Sequence, residues 1–249
     1  MTMDWAVFCR DTLTSELVQG CFGTRRDPTY LNWLLDAWGW TAAVSLAALL
    51  LALAVGSVIG VLRTLPDSPR WVRFGNGWVE LFRGIPLLVQ IFLWYHVGPA
   101  LIAPMKALPP FVLVVCALGF FTSARFAEQV RAGIQSLPRG QRHAALALGL
   151  TQWQTYRHVL LPMAYRIILP PLTSESMSII KNSAVAFAVS IPELTQFSMQ
   201  ASEETSRTIE VYLAVTALYI ITAVAVNLAL GWVERRTRVP GFAAGKPEH

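Results

Sequence analysis

Five polar side chains, Ser174, Glu175, Ser178, Lys181 and Asn182, stand out against an apolar sequence. Their three- and four-residue spacings place them on one face of a helix. Such a face offers a carboxylate to an ammonium at Glu175 and an ammonium to a carboxylate at Lys181. Ionisable groups at membrane depth are costly, so they face a bundle interior or a water-filled path. Pro170 and Pro171 in the same helix free backbone carbonyls, which are tolerated where they line a cavity. The competing reading is that Glu175 and Lys181 pair with neighbours and hold a subunit interface. Elsewhere Arg125, Glu128 and Arg131 close another apolar run. Glu80 and Arg83 are three residues apart, and mutual pairing with snorkelling accounts for both.

Other chemistries find little support. A membrane-embedded hydrolase needs a nucleophile and a base at depth, and the apolar runs hold no histidine beyond His96, near an outer end. His143 and His158 have no metal-spaced partners, and no Cys/His spacing marks a metal site. No G-x-x-x-x-G-K-[ST] occurs, so no nucleotide is bound through a P-loop. Any ATPase must be another chain, and no cofactor is called for.

The elements that position these residues are membrane spans. Of 249 residues, 54% are hydrophobic and 14% charged, against about 25% charged in soluble domains. Asp4, Arg10, Asp11 and Glu16 break up the first residues, so no signal peptide is read there. Asp27-Pro28-Thr29-Tyr30 reads as a turn. Five spans are expected at about 37–62, 78–98, 111–133, 159–182 and 209–233. Gly56 and Gly60 form a GxxxG spacing in the first, which is either a close helix contact or a chance pair. Pro86 lies inside the second.

Basic residues alternate between loops. Arg63, Arg70 and Arg73 follow the first span, beside a turn at Pro66-Asp67-Ser68-Pro69. Arg139, Arg142 and Arg157 lie in the connector after the third, and Arg235, Arg236 and Arg238 in the tail. The intervening loops are poor in them, the second-to-third linker having only Lys106. The positive-inside rule then puts the N-terminus outside and the connector and C-terminus inside. It also explains the net charge of +5 without nucleic acid, for which no motif stands out. Trp33, Trp38, Trp40, Trp71, Trp78 and Trp94 cluster near span ends, as in an interfacial belt. Cys116 is a packed hydrophobe. Cys9 and Cys21 pair if their segment meets an oxidising compartment, but the free-thiol reading is preferred.

The connector EQVRAGIQSLPRGQRHAALALGLTQWQTYRHVLLP, from Glu128 to Pro162, is the most informative stretch. Pro138 and Gly140 end the third helix. Residues 141–148 favour a short helix with Ala144, Ala145 and Leu148 along one side, which Gly149 terminates. Thr151 opens another, with Gln154 as capping-box partner. Either the short helix docks in a partner's groove or this is an ordinary loop with helical turns.

Ala144, Ala145, Gly149, Val159, Leu161 and Pro162 fall at the spacings of the EAA loop, and the pattern resembles that of ABC importer permeases. His143 stands where the family usually has Glu, so a salt bridge from that position to the ATPase is not assumed. Val79–Gln90 (VELFRGIPLLVQ), the Glu128-Gln129-Val130-Arg131 run, Leu137–Gln141 (LPRGQ) and Lys181-Asn182-Ser183 are similar to signatures of polar amino-acid permeases. Asp4-Trp5, Leu62-Arg63-Thr64 and Val233–Arg236 resemble most nearly the glutamate/aspartate importer permeases.

The resemblance implies an all-α integral membrane protein of the type I importer class, with about five transmembrane helices and a cytoplasmic coupling helix. It implies a periplasmic N-terminal segment at 1–36, a transmembrane domain at 37–233 with its coupling loop at 139–158, and a cytoplasmic tail at 234–249. The expected activity is that of a non-enzymatic permease subunit in the bacterial inner membrane. It would act with a second permease chain of different sequence, two ATPase subunits and a periplasmic amino-acid-binding protein, for glutamate and aspartate. Glutamine, arginine or histidine import is the alternative. A secondary transporter fits less well, since no inverted repeat is recognisable. The polar face of Ser174, Glu175, Ser178, Lys181 and Asn182 is expected to line the pathway. On this resemblance Gln141, His143, Ala144, Ala145, Leu148 and Gly149 meet the ATPase. Glu80, Arg83, Pro86, Glu128, Arg131 and Pro162 are signature positions.

Overall fold

The structure, a computed structural model, describes residues 3–24, 27–66 and 68–237. Asp67, Arg238 and the rest of the tail from 238 lie outside the described residues. The described chain is helical, its only β pairing being two isolated antiparallel bridges in the N-terminal segment. The α-helices are α1 Tyr30–Leu62, α2 Pro69–Gly84, α3 Leu87–Phe92, α4 Gly98–Leu101, α5 Pro110–Gln135, α6 Arg139–Ala147, α7 Gln152–Thr155, α8 Leu161–Ser183, α9 Leu194–Thr205 and α10 Thr208–Thr237. Among them α1, α5 and α10 are long and apolar enough to cross a membrane, and α2 with Leu87–Leu101 makes a fourth candidate if counted as one broken span. The expected fourth span corresponds to α8, which is 23 residues long. Its Arg166, Glu175 and Lys181 make it too polar to qualify by composition alone.

Two expected boundaries move. The second span is not one helix over 78–98, because Ile85 takes extended backbone (φ −103°, ψ 129°) and ends α2 ahead of Pro86. Proline disfavours helical geometry in the residue before it, so the sequence itself enforces the stop. The first helix begins at Tyr30 rather than near 37. The Thr29 hydroxyl accepts from the Asn32 amide at 3.4 Å, and Tyr30 and Leu34 are buried, so the early turns are held by capping and by burial.

The chain groups into two compact units. One takes in the chain up to Ala48 with Leu87–Leu118 and Ile179–Ala225. In it the N-terminal segment is folded. Asp4 caps the 3-10 turn Trp5–Cys9 by accepting from the Ala6 amide. Asp11 accepts the amides of Thr14 (2.9 Å) and Leu13 (2.7 Å), and these hydrogen bonds hold its carboxyl below the ordinary carboxylate range. Cys9 and Cys21 form a disulfide with Cα atoms 4.0 Å apart, which corrects the free-thiol expectation. The turn at Asp11 folds the chain back and makes that approach possible. Val7 and Phe8 pack with Tyr30, Leu34, Leu194 and Phe197 in one apolar cluster. The Asp4 amide donates to Glu210 at 2.9 Å, and its carboxylate faces Arg10 and Arg207 at 3.2 and 3.5 Å.

Glu193, fully buried, caps α9 by accepting the amides of Thr195 (2.8 Å) and Gln196 (2.9 Å) and the Tyr219 hydroxyl (2.9 Å). Burial pushes its carboxyl upward, and these hydrogen bonds oppose the shift.

The other unit comprises Leu49–Pro86, Gly119–Ser178 and the chain from Val226. The GxxxG spacing is a close contact here. A Cβ on Gly56 would lie 2.5 Å from Phe126 Cβ, and one on Gly60 would lie 2.6 Å from Val130 Cβ. The two glycines therefore let α1 lie against α5. Beside them Ile59, Val79, Phe82, Ala124 and Ala127 form a buried cluster. Trp78 packs its ring on Phe82 and Phe120 and donates from Nε1 to Ser123 Oγ at 3.1 Å. Gly60→Val should destabilise the protein by about 1–3 kcal/mol through overpacking, read as a lower melting temperature of the detergent-solubilised complex. Gly77→Ala, where nothing lies within 4 Å, should not lower it.

Candidate functional site

Arg63 ends the apolar run of α1 with a side chain only 5% exposed. A guanidinium removed from water needs partners. Its Nε donates to Asn76 Oδ1 at 2.8 Å and its Nη2 to Glu128 Oε1 at 3.0 Å. Gly75 makes room for it, since a Cβ there would meet Arg63 Cγ at 2.5 Å. The same Glu128 oxygen lies 3.6 Å from Arg83 Nη1. Arg83 therefore pairs with Glu128 on α5 and not with Glu80, correcting that expectation. Glu80 is exposed and lines a cavity of about 520 Å³ with Arg63, Asn76, Arg83, Glu128 and Arg131.

One helical turn before Glu128, Arg125 reaches Glu175 on α8 at 3.4 Å. Its guanidinium lies 5.2 Å from the Phe121 ring centroid. Arg83, Phe121, Arg125, Glu128, Gln129 and Glu175 line one cavity of about 390 Å³. Of the polar face expected on α8, Glu175 is thus occupied by an arginine. Ser178 donates back to the Ser174 carbonyl at 3.1 Å. Lys181 is exposed without an ion pair among the described residues, and Asn182 is half-buried. The sequence marks both Glu175 and Arg125 as charges in apolar runs but does not pair them.

The connector holds the two short helices its sequence reads, but α5 stops at Gln135, Pro138 caps the next helix and Gly140 lies inside it rather than ending the third helix. Helix α6 covers Arg139–Ala147 and ends in αL geometry at Gly149 (φ +83°), with the Leu150 amide donating to the Ala145 carbonyl at 3.2 Å. Thr151 and Gln154 form the capping box, the Thr151 amide reaching Gln154 Oε1 at 2.8 Å and the Gln154 amide reaching Thr151 Oγ1 at 3.3 Å. Ala145 is buried and Gln141 half-buried, while His143, Ala144 and Leu148 are exposed, Leu148 to 83%. Tyr156 is buried and donates to the Thr64 carbonyl at 2.7 Å, which ties the connector to the end of α1. A π turn, Tyr156–Leu160, leads into α8. Pro162 follows it and has no N–H to complete the regular ladder, a gap the wider turn accommodates.

Residues 52–239 match the family described as the inner membrane component of binding-protein-dependent transport systems. The chain belongs to this family. It is the permease subunit of an ABC importer, a multi-pass protein of the inner membrane. The permease is 42% identical over 257 aligned residues, 98% of either chain, to the glutamate/aspartate import permease protein GltJ of Escherichia coli K12. It is 28% identical over 213 residues to GltK of E. coli O157:H7, covering 83% of this chain and 94% of that one. It is 32% identical over 203 residues to the probable glutamine permease GlnM of Bacillus subtilis 168, covering 81% and 92%.

A crystal structure of an amino acid ABC transporter with histidines superposes with a TM-score of 0.72 at 29% identity, over 83% of this chain and 95% of that one. The inward-facing MetNI methionine transporter gives 0.72 at 22% identity over 84% and 98%, a likeness of fold. In the permease, Gly149→Ala should cost about 1–2 kcal/mol, because the αL position is unfavourable for an L side chain. Hydrogen exchange across 139–151 should rise roughly 5- to 30-fold. Gly140→Ala, within α6 and in open space, should not raise it, since Ala favours the helix over Gly.

Proposed function

We propose that this permease carries glutamate and aspartate, as one half of a pathway completed by a second permease chain. Two cytoplasmic ATPases energise it, and a periplasmic binding protein delivers the amino acid. The observation that carries this reading is the 42% identity to GltJ across 98% of the chain. The 28% identity to GltK supports a partner of different sequence, since those two names belong to one kind of importer.

The proposed orientation puts the N-terminus in the periplasm and the connector and tail in the cytoplasm, with α8 and the broken α2–α3 segment completing five spans. Two features support it. Arginines alternate between loops, and the Cys9–Cys21 disulfide suits an oxidising compartment. The ATPase meets α6, where His143, Ala144 and Leu148 are exposed. Closure of the ATPases pulls on this helix and rocks the bundle between inward- and outward-facing states. Along α8, Ser174, Glu175, Ser178, Lys181 and Asn182 face the pathway.

Glutamine import is the second reading, favoured by the 32% identity to GlnM. A strain deleted for this gene and its complemented control decide between them. Saturable uptake of labelled aspartate and glutamate should vanish on deletion and return on complementation. Intact acidic uptake with a loss of glutamine uptake would reject the acidic assignment in favour of the second reading.

A further inference from the structure

The side chains lining the 390 Å³ cavity balance in charge, but one of its carboxylates is shared with a third arginine outside the lining. Arg83 and Arg125 line it opposite Glu128 and Glu175, and Arg63 is bonded to Glu128 at 3.0 Å. Three guanidinium groups thus stand against two carboxylates. Arg63 is committed by its burial and by its bonds to Asn76 and Glu128. Arg83 and Arg125 are not. Their side chains are 57% and 41% exposed. Their nitrogens lie 3.6 and 3.4 Å from the carboxylate oxygens, beyond the roughly 2.7–2.9 Å of a tight charge-assisted bond. Both pairs are therefore loose enough to exchange partners.

We infer that this cavity is a resting site for the transported amino acid, in which Arg125 receives the side-chain carboxylate, Arg83 the α-carboxylate and Glu175 the α-ammonium. The inference rests on the acidic amino-acid reading and names the residues that select for it. The match is one of charge and number. An acidic amino acid brings two carboxylates and one ammonium, net −1, to a site with two exchangeable guanidinium groups and one exchangeable carboxylate. Glu128 keeps Arg63 as its partner and stays neutralised when Arg83 turns to the ligand.

Phe121 does two things. Its ring faces the Arg125 guanidinium at 5.2 Å, so the cation keeps a partner when Glu175 lets go. It also offers an apolar wall to the ligand's methylene groups. Gln129 adds an uncharged donor and acceptor to the lining. A substrate ending in a neutral amide leaves Arg125 without an anionic partner, and a site built for a charged group penalises the analogue that lacks it.

The test is equilibrium binding of labelled L-glutamate and L-glutamine to the detergent-solubilised complex of both permeases and the ATPase, with the binding protein omitted. Arg125→Gln should weaken glutamate at least about tenfold, the scale of one charge-assisted hydrogen bond, and leave glutamine within about threefold. Glu175→Gln should weaken both. Arg73→Gln, an exposed arginine outside this cavity, is the control. If Arg125→Gln fails to assemble, Arg125→Lys and Phe121→Leu replace it, each expected to reduce the preference for glutamate.

Wild-type complex that imports acidic amino acids, with Arg125 and Glu175 variants that bind glutamate as wild type does, overturns this site and leaves the acidic reading standing. Wild-type complex that imports glutamine and not glutamate overturns both.

Discussion

A guanidinium buried at the end of an apolar helix governs the unit that carries the candidate site. Arg63 cannot be left without partners, because burying an unpaired charge costs far more than a single packing contact returns. The partners come from different elements, Asn76 from α2 and Glu128 from α5. The end of α1, the middle of α2 and the C-terminal part of α5 must therefore converge at one point. Glycine permits that convergence at Gly60, where α1 meets Val130, and at Gly75, where α2 passes over the Arg63 side chain. The aromatic cluster of Trp78, Phe82 and Phe120 then fills the space beside it.

The consequences reach the cavity through Glu128. One of its oxygens faces both Arg63 and Arg83, so the residue that neutralises the buried charge also sets where the exposed one sits. Arg125 lies one turn earlier on the same helix and meets Glu175. On its other side Arg63 shares a cavity with Thr64, Arg139, Arg142 and Tyr156. Tyr156 in turn holds the connector by its bond to the Thr64 carbonyl. The end of α1 is thus common to the charged cavity and to the loop proposed to meet the ATPase.

Much of this was legible in the sequence where the cause is local. The capping box of Thr151 and Gln154, the stop at Gly149 and the helical connector depend on residues a few positions apart, and the spacing through Pro162 carried the family. Long apolar runs gave α1, α5 and α10. Causes distant in sequence were not legible. Arg63 and Glu128 are separated by 65 positions, and nothing local says that Glu128 rather than Glu80 takes Arg83. The pairing of Cys9 with Cys21 depends on how Asp11 turns the chain. Pro86 was visible, yet hydropathy averaged across it and hid the break. Tyr30 begins α1 because its side chain is buried among residues of α9 and α10, a contact no window on the first helix contains.

A double-variant cycle on Arg63 and Glu128 tests most directly whether this pair organises the unit. Arg63→Met, Glu128→Gln and the combined variant would be compared with wild type by reversible denaturation of the detergent-solubilised complex. Each single variant should destabilise by about 3 kcal/mol or more, since each strands a charge or a charge's partner. The combined variant should recover at least about 1.5 kcal/mol of the summed loss. Losses that add to within about 0.5 kcal/mol would contradict the account and leave the two residues as independent contributors to the fold.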